Sequence, residues 1–263
     1  MAEFPPIRAC LFDMDGLLLN TEDIYTKCAD IVLEKHGRPP PPWSIKAKLM
    51  GIPGSSNGDY KEEQAAQQRE LFPACRPLPG VKQLLINLKE ARTQTIFKKE
   101  QYPLQIGLAT SSIEENFKLK TVDPSVSAVI DAIPLEHRVL GDDARWKKSR
   151  GKPAPDIYLL ALSLINDRLL EGCPKIAPNE CLVFEDSVLG VEAGRRAGMR
   201  VVWVPHEGVL ADWKDKEPGV LAGRTGLYPI GNDEQLGEIG DGWAERIDSL
   251  EDFQCEKYGI LTS

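Results

Sequence analysis

The chain has 263 residues, with 32 Lys and Arg against 40 Asp and Glu, so its formal net charge is −8. Its hydrophobic fraction of 42% and charged fraction of 27% exclude a disordered or fibrous protein, and no apolar run approaches the roughly 18 residues that a membrane helix needs. The negative charge and the lack of a long basic stripe disfavour nucleic-acid binding. We therefore expect a globular protein with no nucleic-acid or membrane partner. The oligomeric state stays open, with a monomer favoured.

The six cysteines include no Cys-x-x-Cys pair, and two of them, Cys10 and Cys181, lie in apolar runs, which is typical of buried free thiols. The three histidines are widely spread and disfavour a zinc cluster. The amino-terminal residues lack the basic and apolar regions of a secretory signal. These observations predict a reducing compartment, and we expect a cytoplasmic protein.

Short apolar runs alternate with helical patterns along most of the chain. Strands are predicted at 7–12, 104–109, 128–133, 181–184 and 200–204, and helices at 81–91, 113–120, 155–166 and 188–197. Near-continuous apolar strands between helices predict an α/β fold with a parallel sheet covered on both faces. From His206 to Glu245 the pattern is weak, and we expect a long surface excursion that returns as an edge strand.

The connection after the first strand does not follow this alternation of strands and helices. Between Asn20 and Pro79 there is no predicted strand, only helical segments near 22–35, 44–50 and 59–71. This connection is too long for a loop between a strand and a helix. The sequence therefore predicts a small helical insert on a larger α/β core.

Acidic pairs follow two of the predicted strands. Asp13 and Asp15 come directly after the first strand, and Glu185 and Asp186 after the fourth. Open α/β sheets bind ligands at the carboxyl ends of their strands, and oxygen ligands gathered there favour Mg²⁺ over a softer metal. Taken singly, the first pair is also typical of a plain Asx turn. The second pair, followed by Ser187, is also typical of a helix N-cap.

Two further motifs carry groups that a phosphate needs. Thr110-Ser111-Ser112 places hydroxyls and backbone N–H groups where the second strand passes into a helix. Lys152 precedes another helix, between Gly151 and Pro153. Taken singly, the hydroxyls are also typical of helix caps, and the lysine of a solvated loop.

Two glycine patterns do not indicate a site. Gly54-Ser55-Ser56-Asn57-Gly58 fits the nucleophile-elbow pattern, but no predicted strand precedes it. Gly190, Gly194 and Gly198 are four residues apart, which predicts one helix face in close contact with the sheet rather than a dinucleotide loop.

Together, the four polar motifs resemble those of the haloacid dehalogenase superfamily, in that family's order. The segment from Phe12 to Glu22 resembles its first motif, Thr110 its second, Lys152 its third and Glu185-Asp186-Ser187 its fourth. The insert is similar to the helical cap of the β-phosphoglucomutase-like branch. Residues 43–51 and 249–253 most resemble the group of the pseudouridine-5′-phosphatases, which also includes glycerol-phosphate and flavin-mononucleotide phosphatases.

The resemblance implies a doubly wound, Rossmann-like α/β core formed by residues 1–19 and 80–263, with a small helical cap formed by residues 20–79. Asn20 departs from the family, which usually carries an aspartate at this position. The cap has three predicted helices where the branch usually has four, and the stretch 92–103 is longer than usual and is expected to form a surface loop. With a short cap and a Gly-rich segment at 51–58, we expect a mobile loop, loose closure and a broad substrate range.

The resemblance also implies a Mg²⁺-dependent phosphatase that hydrolyses small phosphomonoesters, such as nucleotide, sugar or polyol phosphates, through an aspartyl-phosphate. In this scheme Asp13 is the nucleophile, and Asp15 is the general acid and base. The implied phosphate ligands are Thr110, Ser111 and Lys152. The implied metal ligands are Asp13, Asp15 through its backbone carbonyl, and Asp186, with Glu185 either as a direct ligand or as a residue that supports the ligands.

Two other functions stay open. A phosphosugar mutase of the β-phosphoglucomutase type shares every core residue, but it carries a phosphate-binding arginine three residues after the cap glycine equivalent to Gly51, where this chain has Gly54. A non-catalytic binding protein with the same fold is disfavoured by the intact acids and Lys152. The expected partner is a small phosphorylated metabolite.

Overall fold

The computed structural model describes residues 4–50, 59–94, 101–145, 150–231 and 236–262. Its strands are β1 (Ala9–Phe12), β2 (Arg92–Gln94), β3 (Gln101–Pro103), β4 (Gln105–Ala109), β5 (Arg138–Val139), β6 (Cys181–Glu185), β7 (Arg200–Trp203), β8 (Ala244–Arg246) and β9 (Ile260–Leu261). Its helices are α1 (Thr21–Lys35), α2 (Trp43–Leu49), α3 (Asp59–Leu71), α4 (Val81–Glu90), α5 (Glu114–Lys120), α6 (Pro124–Ile130), α7 (Asp156–Asn166), α8 (Val188–Arg196), α9 (Glu207–Trp213) and α10 (Glu217–Leu221). Every helix predicted from periodicity is present, with each end within about one residue of its predicted position.

Six strands form one parallel sheet in the order β5-β4-β1-β6-β7-β8. From β1 the chain winds outward to β4 and β5, and it then returns to the other side of β1 for β6, β7 and β8. This change of direction confirms the predicted doubly wound fold. It also creates a crevice at the carboxyl end of β1, which is where such sheets bind ligands.

Helices cover both faces of this sheet. Side chains in β1 alternate between the two faces, so that Cys10 and Phe12 pack with α4 and α6, whereas Ala9 and Leu11 pack with α7 and α8. Because both faces are buried, the strand is apolar at every position. Cys10 and Cys181 are buried free thiols, as predicted. No helix in the described ranges is long and apolar enough to cross a membrane.

The strand predicted at 128–133 is wrong, because these residues lie in α6 and in the turn after it. The N-cap Asp123 accepts a hydrogen bond from a backbone N–H two residues on, and Pro124 occupies the first turn, so the chain is helical before the apolar run begins. Val126 and Val129 are buried at helical spacing. The outer strand of the sheet on this side is β5 instead.

The stretch from 206 to 245 is more regular than its sequence pattern indicates. It contains α9 and α10, which have seven and five residues and whose apolar pattern is too weak to predict a helix. The chain then returns as β8, which pairs with β7, so the predicted edge strand is confirmed.

The surface loop predicted at 92–103 is wrong for the described part of that stretch. There, β2 and β3 pair in antiparallel fashion, and β9 adds a third strand on the other side of β2. Thr93 is buried, and its hydroxyl donates to the carbonyl of Ile7 at 2.5 Å. The carboxyl-terminal strand is the partner that the local sequence does not reveal. Residues 95–100 lie outside the described residues.

The helical insert follows β1 and contains α1, α2 and α3, as predicted. The chain enters and leaves the insert side by side. The backbone N–H of Leu78 donates to the carbonyl of Leu18 at 3.0 Å, and the Asn20 side-chain oxygen accepts from the backbone N–H of Arg76 at 2.8 Å. The predicted mobile loop at 51–58 and the Gly54 position lie outside the described residues.

Candidate active site

Three carboxylates meet at the carboxyl edge of the sheet and form an acid cluster of Asp13, Glu185 and Asp186. Asp13 follows β1, Glu185 ends β6, and the two strands are in register at this point. The backbone N–H of Asp13 donates to the carbonyl of Phe184 at 3.1 Å. One oxygen from each of the three carboxylates lies within 4.8 Å of the others, and all three residues are buried. The acid cluster therefore has the spacing that a cation needs.

Lys152 enters the acid cluster from the segment before α7. Its Nζ donates to Asp13 at 2.5 Å and also to Glu185, and its side chain is 1% exposed. The Tyr158 hydroxyl donates to the same oxygen of Glu185. Burial opposes a charge on Lys152, but Asp13 and Glu185 outweigh this effect and raise its pKa. Lys152 is thus a fixed, buried cation between two carboxylates.

One lysine does not compensate three buried acids. Burial raises the pKa of Asp13 to about 7, against the attraction of Lys152. Burial, with repulsion from Glu22 and Glu185, raises the pKa of Asp186 well above its usual range. The Oδ2 atom of Asp186 is buried and has no hydrogen-bond partner in the described part of the chain. An unpaired carboxylate oxygen in an all-oxygen cluster fits a hard divalent cation such as Mg²⁺.

Gly16 lies in direct contact with Asp186. Its φ is +73°, and a Cβ atom at this position would lie 2.1 Å from Asp186 Oδ2. Thr21, at the start of α1, accepts a hydrogen bond from the Gly16 N–H at 2.8 Å. Glu22 also approaches Gly16, and burial followed by repulsion from Asp15 raises the pKa of Glu22 to about 8. The sequence-based prediction did not include Glu22, although its position in the first motif was a signal.

Thr110 and Ser111 follow β4, which is the other neighbour of β1. The register of the two strands places Thr110 one residue beyond the level of Asp13. Thr110 is buried, and its Oγ1 accepts a hydrogen bond from the backbone N–H of Ser112 at 3.1 Å, whereas Ser111 is half-buried. The structure therefore brings both residues to the same edge of the sheet as the acid cluster.

The Asp15 side chain is not part of the acid cluster. Its Oδ1 accepts a hydrogen bond from Lys120 Nζ at 2.5 Å, and its Oδ2 accepts one from the Ser112 hydroxyl at 2.9 Å. The sequence-based prediction missed Lys120, and it included Ser112 only in the hydroxyl motif, without its contact to Asp15. One signal for Lys120 was present, because it lies three residues after Phe117 and so shares its helix face with a packed apolar residue.

The fourth motif, Glu185-Asp186-Ser187, both contributes two acids to the acid cluster and caps the helix that follows it. Ser187 is the N-cap of α8, and its Oγ accepts from the backbone N–H of Gly190 at 3.0 Å. A Cβ at Gly190 would overlap Glu185, and one at Gly194 would press on side chains of β6 and β7, so the predicted close contact is confirmed for these two. It is wrong for Gly198, which lies beyond the end of α8 in a left-handed turn with φ +72°.

Comparisons with known proteins agree with this arrangement. A family model described as "Haloacid dehalogenase-like hydrolase" matches residues 10–204. The "Probable pseudouridine-5′-phosphatase" of Saccharomyces cerevisiae is 35% identical, over 97% of this chain and 98% of its own length. The "(DL)-glycerol-3-phosphatase 1, mitochondrial" of Arabidopsis thaliana is 34% identical, over 85% of this chain and 72% of its own.

The same fold occurs in solved structures. A haloacid dehalogenase-type hydrolase of family IA from Entamoeba histolytica superposes with a TM-score of 0.65 and 18% identity, over 96% of this chain and 97% of that one. This likeness concerns the fold, whereas the family match and the two phosphatase relatives concern the sequence as well. The chain therefore belongs to the haloacid dehalogenase-like hydrolase family, as the order of its motifs predicted.

Proposed function

We propose that this protein is a Mg²⁺-dependent phosphatase that hydrolyses small phosphomonoesters, namely nucleotide, sugar or polyol phosphates, through an aspartyl-phosphate on Asp13. The observation that carries the proposal is the position of Asp13, which lies buried between the Lys152 ammonium and a carboxylate, Asp186, that has an unpaired oxygen. Phosphoryl transfer needs a nucleophile, fixed positive charge and a cation on the phosphoryl oxygens. The two relatives named as phosphatases support the same activity.

The donor set assigns different roles to the four acids. Mg²⁺ would be held by the carboxylates of Asp13 and Asp186 and by the backbone carbonyl of Asp15. Glu185 already accepts hydrogen bonds from a lysine, a tyrosine and a serine, so we assign it to holding Lys152 in place. When bound, Mg²⁺ would neutralise the acid cluster and offset the charge of the phosphate dianion.

The chain's own groups account for the two chemical steps. In the first, a carboxylate oxygen of Asp13 forms a bond to phosphorus while the ester P–O bond breaks, and Asp15 gives its proton to the leaving alkoxide. In the second, Asp15 takes a proton from water, whose oxygen bonds to phosphorus and releases Asp13. Lys152 stabilises charge on the phosphoryl oxygens, and Thr110 and Ser111 hold these oxygens through hydroxyl and backbone N–H groups.

We propose further that residues 20–79 form a cap over a core of residues 1–19 and 80–263. The paired chains at Leu18–Leu78 and Asn20–Arg76 support this boundary, because the chain enters and leaves the insert side by side there. Leu19, which lies between these two pairs, also forms a β-bridge with Asp15. Motion of the cap would therefore act close to Asp15, and closure of the cap would exclude water from the first transfer.

The test is a screen for phosphate release from a set of phosphorylated metabolites, with Mg²⁺ and with EDTA. Pseudouridine, glycerol, deoxysugar and flavin phosphates belong in the set. We expect Mg²⁺-dependent release that EDTA abolishes and that an Asp13→Asn variant lacks. Turnover that persists in EDTA would contradict the metal site.

The screen also separates the two remaining functions. A mutase would convert a sugar phosphate into its isomer without releasing phosphate, and a non-catalytic protein would bind phosphorylated metabolites without any turnover. The phosphatase names of the relatives favour hydrolysis over the mutase, and the intact Asp13 and Lys152 pair disfavours a non-catalytic protein. The Gly54 position that bears on the mutase lies outside the described residues.

A further inference from the structure

Lys120 is a buried cation next to Asp15 that none of the four family motifs contains. It is the last residue of α5, and it is 0% exposed. A lysine ammonium has three N–H donors, and each has a partner: Asp15 Oδ1 at 2.5 Å, the Ser112 hydroxyl at 2.7 Å and the Tyr25 hydroxyl at 2.8 Å. Because a buried charge without partners is costly, these three contacts fix the position of the ammonium.

The same contacts fix the Asp15 carboxylate. Lys120 holds one of its oxygens, and Ser112, which is itself hydrogen-bonded to Lys120, holds the other. The three side chains therefore form a closed triangle, in which no member can turn without breaking two hydrogen bonds. General acid catalysis requires the carboxyl group to lie within hydrogen-bond reach of the leaving oxygen. The triangle limits the positions that Asp15 can take.

Lys120 also contacts both ends of the helical insert. Tyr25 lies in α1, near the start of the insert, and Phe72 follows α3, near its end. The Lys120 nitrogen lies 4.7 Å from the centre of the Tyr25 ring and 4.6 Å from that of Phe72, within the range of a cation–π contact. The two rings pack edge to face, 5.2 Å apart. One ammonium thus connects the insert to the proposed general acid.

We propose that Lys120 is a positioning residue that holds Asp15 for proton transfer and links its placement to the position of the insert through Tyr25. The inference rests on the proposed phosphatase function. A lysine that served only to stabilise the fold would affect all substrates equally when it is removed. A lysine that positions the general acid matters most where the leaving group must be protonated.

Two esters therefore test the inference. The leaving group of an alkyl monophosphate is a strongly basic alkoxide, which needs the proton of Asp15. The leaving group of 4-nitrophenyl phosphate is a stable phenolate, which does not. With Mg²⁺ present, we expect Lys120→Met to lower kcat/KM for the best alkyl substrate by about 100-fold and for 4-nitrophenyl phosphate by less than about 5-fold. The matched control is Lys118→Met, since Lys118 lies on the same helix, is 70% exposed and pairs only with Glu114 at 2.7 Å among the described contacts.

A second variant covers the case in which Lys120→Met does not fold. Tyr25→Phe keeps the ring and removes only the hydroxyl that Lys120 contacts, and we expect the same selective loss, by about 3- to 10-fold, for the alkyl ester. Equal losses for both esters in a folded variant would overturn the role of Lys120 while leaving the phosphatase function intact. A wild-type protein that releases phosphate from neither ester would instead overturn the proposed function.

Discussion

Asp13 is the residue on which the proposed chemistry depends. The Asp13→Asn change keeps the shape of the side chain and removes the charge that attacks phosphorus, so we expect kcat to fall by at least about 10⁴-fold. The fold should be retained, because burial already disfavours a charge at this position. Phosphate release and a thermal melt by circular dichroism measure the two effects. A folded variant that kept more than about 1% of the activity would contradict the assignment of Asp13.

Gly16 is a second residue whose identity the site requires. Gly16→Ala places a methyl group against Asp186 Oδ2, and it also puts a side chain at φ +73°. Gly37→Ala is the matched control, because Gly37 has φ +64° and no neighbour within 4 Å of its Cβ position. Both variants should lose roughly 1–2 kcal/mol from the left-handed backbone. Only Gly16→Ala should also lose phosphatase activity and stabilisation by Mg²⁺.

Unfolding in urea, with and without Mg²⁺, compares the two glycine variants. Equal losses of stability, with full activity in both, would mean that the contact between Gly16 and Asp186 has no role in the site. A larger loss in Gly16→Ala that Mg²⁺ cannot reverse would support the proposed metal ligand.

Among single residues, the sequence predicted those that belong to motifs and missed those that depend on packing. Asp13, Lys152 and Asp186 each follow or precede an element whose end is visible in the sequence, and parallel strands bring such ends together. Lys120 lies outside the motifs and Ser112 within one, but the contacts of both with Asp15 depend on packing that one sequence does not reveal. The motifs therefore identify the acid cluster but not the groups that hold Asp15, the proposed general acid.

At the scale of elements, hydrophobic period predicted all the longer helices and the seven-residue α2 and α5, but it missed α6 and α9, which also have seven residues. The short apolar run that contains Val126 and Val129 is consistent with either a buried strand or a buried helix. The N-cap at Asp123 favours the helix, α6. The strand pair β2–β3 was missed for another reason. Its third strand, β9, comes from the end of the chain, so the pairing that orders it is not local.

Helix α2 connects the insert to the core through one aromatic side chain. Trp43 stacks on the His206 ring, with the ring centres 4.6 Å apart, and a Cβ at Gly208 in α9 would overlap its indole. We expect Trp43→Ala to cost about 1–2 kcal/mol, below the range for a fully buried tryptophan because Trp43 is half-buried. The insert should become more sensitive to protease, and KM should rise more than kcat falls.

Limited proteolysis and steady-state kinetics measure these effects of Trp43→Ala. Trp43→Phe is the control, because a phenyl ring keeps part of the stacking on His206, and it should lie between the wild type and the alanine variant. If the insert of Trp43→Ala were cut no faster than that of the wild type, contacts other than α2 with α9 would hold the insert in place.

At the scale of the whole molecule, the acids Asp13, Glu22 and Asp186 make stability depend on pH. The pKa of Asp13 is about 7 and that of Glu22 is about 8, whereas the usual pKa of such carboxyl groups is about 4. The pKa of Asp186 is also raised. The folded protein therefore binds these protons more tightly than the unfolded chain does. Their contribution to stability is complete at about pH 4 and is lost as the pH rises through about 7 to 8.

Mg²⁺ should reverse this loss, because it binds the deprotonated carboxylates of the folded state and competes with their protons. Without metal, we expect the contribution of these acids to the free energy of unfolding to decrease as the pH rises from about 4 to about 8. The increase in Tm on adding Mg²⁺ should be near zero at about pH 5 and about 5 °C or more at pH 8, when Mg²⁺ is present at about 100 times its Kd. Thermal melts across this pH range, with Mg²⁺ and with EDTA, measure the difference.

The Asp186→Asn variant provides the control for this pH dependence. It removes the carboxylate with the unpaired oxygen, so the metal-dependent rise in Tm at pH 8 should largely disappear. The metal-free protein should become more stable at pH 8, since one of the repelling charges next to Asp13 and Glu22 is gone. If Mg²⁺ raised Tm equally at pH 5 and pH 8, or if Asp186→Asn left this increase unchanged, the cation would bind elsewhere. The raised pKa values of these acids would then be unrelated to metal binding.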